Sequence, residues 1–326
     1  MNETLMQERK LKEATFENVE IPEDLGPVEV VVDDHKIKKF AFTQNDYNPW
    51  CFRDDNPWGR RIGHAAILAN DVLNVFYSKY DKNTIVGLHT QEELWFHNPV
   101  FADERVTVTG RYIDKYIKRG QGYVVMESQA VGEDGRLLLR HRGVEIMRTQ
   151  PGEVVGRKSG EPPARPVTGE VRPDLPEVEH ARTGLPERVA IAPLVKHIRQ
   201  EQMSVFSGIG DYQRSIHANL ELARASGLRL PIMQGQQQAC LVAELMTRFF
   251  GASWFESGYL KLKFINPVYA GDVVAIRGAV LGSVDESAGT RLETEVWAEN
   301  EAGVKTAVGW GSAIVGDGAN GMGEDV

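Results

Sequence analysis

A chain of 326 residues, 42% hydrophobic and 25% charged, has the composition of a soluble globular protein and the length of about two ordinary domains. Its net charge of −9 argues against a general nucleic-acid or anionic-membrane binder, which needs a basic face, but leaves room for a local basic patch facing a phosphate-bearing ligand. Two cysteines, Cys51 and Cys240, make no disulfide framework and lack metal-ligand spacing; with a polar N-terminus and no apolar run near ~20 residues, a reducing, cytoplasmic location is the default.

In chain order, Val28 to Val32 predicts a strand, a polar turn follows, and Ile62 to Tyr80 predicts a helix. Strands are expected at Leu94–Phe96, Arg105–Tyr112, Tyr123–Val131 and Leu137–Met147. Alternation supports them: Val106 and Val108 point to one face of their strand, Thr107 and Thr109 to the other. Residues 150–187 are rich in Pro, Gly, Glu and Arg with no periodic apolar face, which reads as a linker laid along the surface or free. A second helix, Ile232 to Phe250, repeats Leu241, Leu245 and Phe249 at helical spacing. Strands follow again at Tyr259–Phe264, Val273–Val280, Arg291–Ala298 and Lys305–Val315, and the tail 316–326 reads as disordered.

The order occurs twice because the sequence does. Phe96-His97-Asn98-Pro99-Val100-Phe101-Ala102 returns 168 residues later as Phe264-Ile265-Asn266-Pro267-Val268-Tyr269-Ala270. The same displacement carries Gly110 onto Gly278, Glu127 onto Glu295 and Gly135 onto Gly303. A period this long is a tandem duplication of one small domain rather than a solenoid repeat. The expected copies are residues 1–149 and 188–315. One helix followed by antiparallel strands, twice, predicts an α+β fold in which each sheet wraps a central helix.

Before the second helix stands Phe206-Ser207-Gly208-Ile209-Gly210-Asp211-Tyr212-Gln213-Arg214-Ser215-Ile216-His217; the matching place in the first copy holds Phe42-Thr43-Gln44-Asn45-Asp46-Tyr47-Asn48-Pro49-Trp50-Cys51. Both resemble the MaoC-like, or hydratase 2, branch of the hotdog fold, whose signature is Gly-Asp-x-Asn-Pro-x-His. The resemblance covers nearly all of the chain outside termini and linker, and implies a tandem (double) hotdog. In that family the Asp and His activate one water, which adds across the double bond of an enoyl thioester or leaves in reverse. Residue by residue, Gly210, Asp211 and His217 match in the second copy, with one extra residue between Asp and His and no Asn-Pro. In the first copy Asp46, Asn48 and Pro49 match, but Cys51 replaces the His. A thiol is a poor stand-in for an imidazole whose pKa of ~6.5 lies near working pH. The resemblance therefore implies a degenerate site in the first domain, which would shape the acyl pocket, and chemistry in the second.

The resemblance implies reversible hydration of a 2-enoyl-CoA, or dehydration of a 3-hydroxyacyl-CoA, with His217 as base or acid, Asp211 as its partner and no cofactor. Gln234-Gly235-Gln236 opens the second helix, whose free N–H groups would polarise a thioester carbonyl, with Gly235 allowing close approach. The first copy has His64-Ala65 there. Lys261 and Lys263 share a strand face and are candidates for the phosphates of coenzyme A, or a solvated face. Alternatives are a thioesterase using Glu244 or Asp211, and a catalytically silent acyl-CoA-binding protein. His89, His97 and His141 have no partners at metal-ligand spacing and read as ordinary surface or sheet residues. Gly120-Gln121-Gly122 reads as a hairpin turn, because no helix follows it. Expected partners are an acyl-CoA thioester but no nucleic acid or membrane. A pseudo-dimeric monomer and a homodimer of such chains both remain open.

Overall fold

A computed structural model of the protein describes residues 11–150, 157–158, 166–208 and 215–315. The first half contributes β1 (Glu23–Val32), α1 (Asp34–Gln44), α2 (Ala69–Asn74), β2 (Gly87–Phe96), β3 (Glu104–Lys118), β4 (Gln121–Gly132) and β5 (Leu137–Met147). The second contributes β6 (Ala190–His197), α3 (Gln200–Phe206), α4 (Leu220–Ala225), α5 (Gly235–Phe250), α6 (Ala252–Ser257), β7 (Tyr259–Phe264), β8 (Val273–Glu286), β9 (Gly289–Asn300) and β10 (Lys305–Val315).

The strands pair in the order β1-β3-β4-β5-β2-β7-β10-β9-β8-β6, with the two-residue strand Arg157–Lys158 beside β3. Read from either end, the two halves have the same order, and they meet where β2 lies antiparallel to β7, Leu94 opposite Leu260 and Glu93 opposite Lys261. Duplication has thus produced one continuous sheet. Along β3, Val106 and Val108 are buried while Arg105 and Thr107 face out, the alternation expected of a sheet with one covered face. The β3–β4 turn holds Arg119 and Gly120 at φ of 52° and 72°, as a tight hairpin requires.

Covering that face, α5 is buried on all sides from Gln236 to Thr247, the mark of a helix enclosed by its sheet. The repeated Asn-Pro motif does one structural job in both halves. Asn98 Nδ2 donates to the Leu137 carbonyl, and Asn266 Nδ2 to that of Lys305, each at 2.8 Å. Next to it, the Gly63 N–H donates to the Val100 carbonyl and the Met233 N–H to that of Val268, both at 2.8 Å. These equivalent bonds place Ala65 opposite Gly235 in the duplication.

Three expectations need correction. The helix expected over Ile62–Tyr80 is only α2, followed by a 3₁₀ turn at Val75–Ser78. Asn70, Asp71, Val72, Asn74 and Val75 are mediocre helix formers, and the Val72 carbonyl also accepts the Ser128 hydroxyl. The second helix starts at Gly235 rather than Ile232, because Ile232 bridges to Tyr269 as extended chain. The expected polar turn after the first strand contains α1, capped by Asp33, whose Oδ1 accepts from the Lys36 N–H, and closed by Asn45 in the left-handed region.

Residues 166–187 are laid against the second half: Ala181 and Leu185 are buried, and the Ala181 N–H donates to the Phe249 carbonyl at 2.7 Å. The tail 316–326 lies outside the described residues. Among the described residues no helix is long and apolar enough to cross a membrane.

Candidate active site

Between the two halves lies a cavity of about 320 Å³. The second half lines it with His217, Met233, Gln234, Gly235, Gln236 and Phe264. From the first half come Leu73, Phe76 and Tyr77 around α2, His89 and Thr90 on β2, and Glu145 and Met147 on β5. Three sequence candidates therefore share one cavity: His217, Gln234 and Gly235.

The segment after residue 214 carries His217 to the start of the chain leading into α5. His217 Nδ1 lies 2.7 Å from the Ile232 carbonyl. A carbonyl only accepts, so Nδ1 carries the proton and the neutral ring keeps its lone pair on Nε2. Burial pushes the His217 pKa down to about 4, only partly opposed by the Ile232 hydrogen bond, so the ring is neutral at physiological pH. The His217 carbonyl accepts from Gln200 Nε2 at 3.0 Å, tying the segment to α3.

At the mouth of α5, Gln234 is the N-cap but its side chain makes no capping bond; Nε2 donates instead to Ser207 Oγ at 3.1 Å. Among the described residues, no side chain accepts from the first N–H groups of this 16-residue helix beside the cavity. A Cβ on Gly235 would stand 2.8 Å from the Phe264 ring, so only glycine lets helix and ring close up here.

Other candidates fall elsewhere. Gly210 and Asp211 lie outside the described residues. Lys261 and Lys263 are not among the residues lining this cavity, and Lys261 Nζ is bonded to Glu93 at 3.0 Å. Glu244 sits in a buried pair with Lys196 at 2.7 Å, whose Nζ also donates to the Gln44 and Asn45 carbonyls. Burial, aided by the Asp46 charge, pushes Glu244 up to about 7 against the pull of Lys196. This pair ties the second half to the loop ending α1. Lys196→Ala should leave a buried carboxylate unpaired and destabilise the fold by roughly 3–5 kcal/mol in urea unfolding at pH 8.

At the equivalent place in the first half the space has closed to about 10 Å³, between His64, Ala65, Leu68, Phe96 and Phe255. His64 Nε2 donates to the Asp46 carbonyl at 2.9 Å, and Cys51 is fully buried, its thiol pushed up by burial.

The histidines read as ordinary residues include two that converge. Cross-strand pairing of β2 with β5 brings His89 Nε2 and His141 Nε2 each to 3.0 Å from Glu92 Oε2. Spacing along the chain shows only His89 and Glu92 three residues apart on β2; the third member, His141, is brought in from β5. The three atoms are close enough to hold a cation. Hydrogen bonds also close the cluster without one. The Ser128 hydroxyl donates to the Val72 carbonyl and so accepts from His141 Nδ1 at 2.8 Å, while Gln236 Nε2 donates to Glu92 Oε1 at 3.0 Å. Glu92 is held low, at about 2, by the charges and hydrogen bonds of His141 and His89, which outweigh its burial.

Two halves of like topology, forming one sheet with a buried central helix in the second, define a double hotdog protein. Residues 180–305 match the MaoC like domain, and residues 20–140 match the FAS1-like dehydratase domain region. The first half is thus similar to a FAS1-like dehydratase region and the second to a MaoC like domain. Among solved structures it is similar to a MaoC-like dehydratase, at 15% identity over 92% of this chain and 99% of that one, with a TM-score of 0.69. A structure titled as a MaoC domain protein dehydratase from Chloroflexus aurantiacus J-10-fl gives 11%, 94%, 98% and 0.69 for the same quantities. A conserved hypothetical protein from Mycobacterium tuberculosis with a double hotdog fold gives 12%, 92%, 97% and 0.65. No curated protein matches the chain by sequence.

Proposed function

We propose that the protein catalyses reversible hydration of a 2-enoyl-CoA thioester, or dehydration of the corresponding 3-hydroxyacyl-CoA. The observation that carries this reading is that a neutral His217 and the start of α5, where Gln234 makes no side-chain cap bond, line one cavity. A thioester carbonyl at the Gly235 N–H gains the enolate-like charge formed during addition, and backbone donors there stabilise it without having to reorganise. Water bound at His217 Nε2 adds its oxygen to C3 as the ring takes its proton, while C2 takes up a proton. Asp211 is assigned as the partner holding that water, by its place in the signature. Leu73, Phe76 and Tyr77 give the acyl chain an apolar wall from the first half. A thioesterase built on Glu244 is less well supported, because that carboxylate is committed to Lys196 and does not line the cavity.

The reading is tested by incubating the protein with trans-2-enoyl-CoA thioesters of increasing length in ¹⁸O-labelled water. Mass spectrometry should find one labelled oxygen in an intact 3-hydroxyacyl-CoA. Label in a free carboxylic acid would instead mark hydrolysis and overturn it.

A further inference from the structure

His217 is not the only imidazole on the cavity. His89 Nε2 faces two acceptors, the Gln91 carbonyl at 2.9 Å and Glu92 Oε2 at 3.0 Å, so it carries a proton. Nδ1 is then the ring's proton-accepting atom, and it is buried without a hydrogen-bond partner among the described residues. A buried, unpaired nitrogen costs stability, and a bound group that hydrogen-bonds to it would remove that cost. The ring is firmly held: its side chain is 8% exposed, and its centroid lies 5.1 Å from that of Phe264, the same ring that packs against Gly235. Through Glu92, His89 is also joined to Gln236, the residue after Gly235. A base whose far nitrogen is fixed by a carboxylate is the arrangement that orients catalytic histidines generally.

We propose that His89 is a second catalytic acid–base residue, supplied by the first half, with Glu92 as the residue that positions it. This rests on the hydratase reading and deepens it. In hydration the water oxygen bonds to C3 and its proton goes to His217 Nε2. The C2=C3 π pair becomes the C2–H bond, using the proton that protonated His89 delivers from Nδ1. Solvent then returns a proton to His89 and removes one from His217, so the balance closes with one water consumed. Dehydration runs the same transfers backwards. Glu92 opposes burial and raises His89, favouring the protonated donor, whereas burial keeps His217 neutral as a base must be. Glu145, opposite His89 in the strand register and on the same cavity, is raised by burial and by the Glu92 charge, against the pull of His89 and His141.

The test compares wild type, His89→Ala and His89→Gln with trans-2-enoyl-CoA thioesters, with circular dichroism and thermal unfolding to verify the fold. The amide of His89→Gln can still donate toward Glu92, which keeps the test open if His89→Ala does not fold. The expected result is a loss of about 100-fold or more in kcat with little change in KM, and partial rescue of His89→Ala by added imidazole. Folded variants that hydrate within tenfold of wild type would overturn the proposal while leaving the hydratase reading intact. A wild-type protein that hydrates no enoyl thioester would remove that reading, and the role of His89 with it.

Discussion

Replacing His217 with alanine should lower enoyl thioester hydration by about 10²–10⁴-fold, the usual contribution of a positioned acid–base group. The neutral ring, its tautomer set by the Ile232 carbonyl, keeps Nε2 as its proton-accepting atom, and His217 lines the cavity. The fold should survive, because the ring makes one side-chain hydrogen bond among the described residues and sits at a cavity rather than in the main apolar cluster. Cys51→Ala should alter turnover far less: Cys51 belongs to that cluster, and the neighbouring first-half site has closed to about 10 Å³. Steady-state kinetics on both variants checks this. A large loss for Cys51→Ala with a small one for His217→Ala would exchange the roles of the two halves.

Gly235→Ala should produce the second large effect. Its methyl group would stand 2.8–2.9 Å from two carbons of the Phe264 ring, closer than real contacts allow. Either Phe264 moves toward His89 or the start of α5 lifts away, and both displace the N–H groups proposed to hold the thioester oxygen. Loss of such a donor costs about 10²–10³-fold in kcat. Far-UV circular dichroism should change little, since the other turns of α5 are enclosed by the sheet. Hydration by folded Gly235→Ala within a few-fold of wild type would show that the carbonyl binds elsewhere.

The duplication made much of this architecture legible. A single register linking Phe96 and Phe264 foretold two like halves, and the structure gives the motif a reason in the matched Asn98 and Asn266 bonds. Strand positions followed from alternation, since burial on one face is a local property of sequence. The two copies' helices were less evenly readable. Long α5 declares itself through Leu241, Leu245 and Phe249, but α2 is cut short by backbone bonds to distant residues such as Ser128, which no local pattern encodes. Asp33 before Asp34 and Lys36 was an available cap signal for α1. Of the proposed site, His217 and Gly235 could be singled out in the sequence because a signature and a helix start point to them. His89 could not, because its meaning comes from β2 lying beside β5 and from a cavity shared by both halves. The strand face of Lys261 was legible in the alternation, but its salt-bridge partner, Glu93, comes from the neighbouring half.

The most direct test of the account is a panel of enoyl-CoA and saturated acyl-CoA thioesters, following conjugated enoyl absorbance and free thiol release in the same reaction. A hydratase bleaches the enoyl absorbance without releasing thiol, leaves saturated thioesters untouched, and loses the bleaching with His217→Ala. Thiol release from either class would contradict the account in favour of hydrolysis, and binding of both classes without either signal would leave a silent acyl-CoA-binding protein.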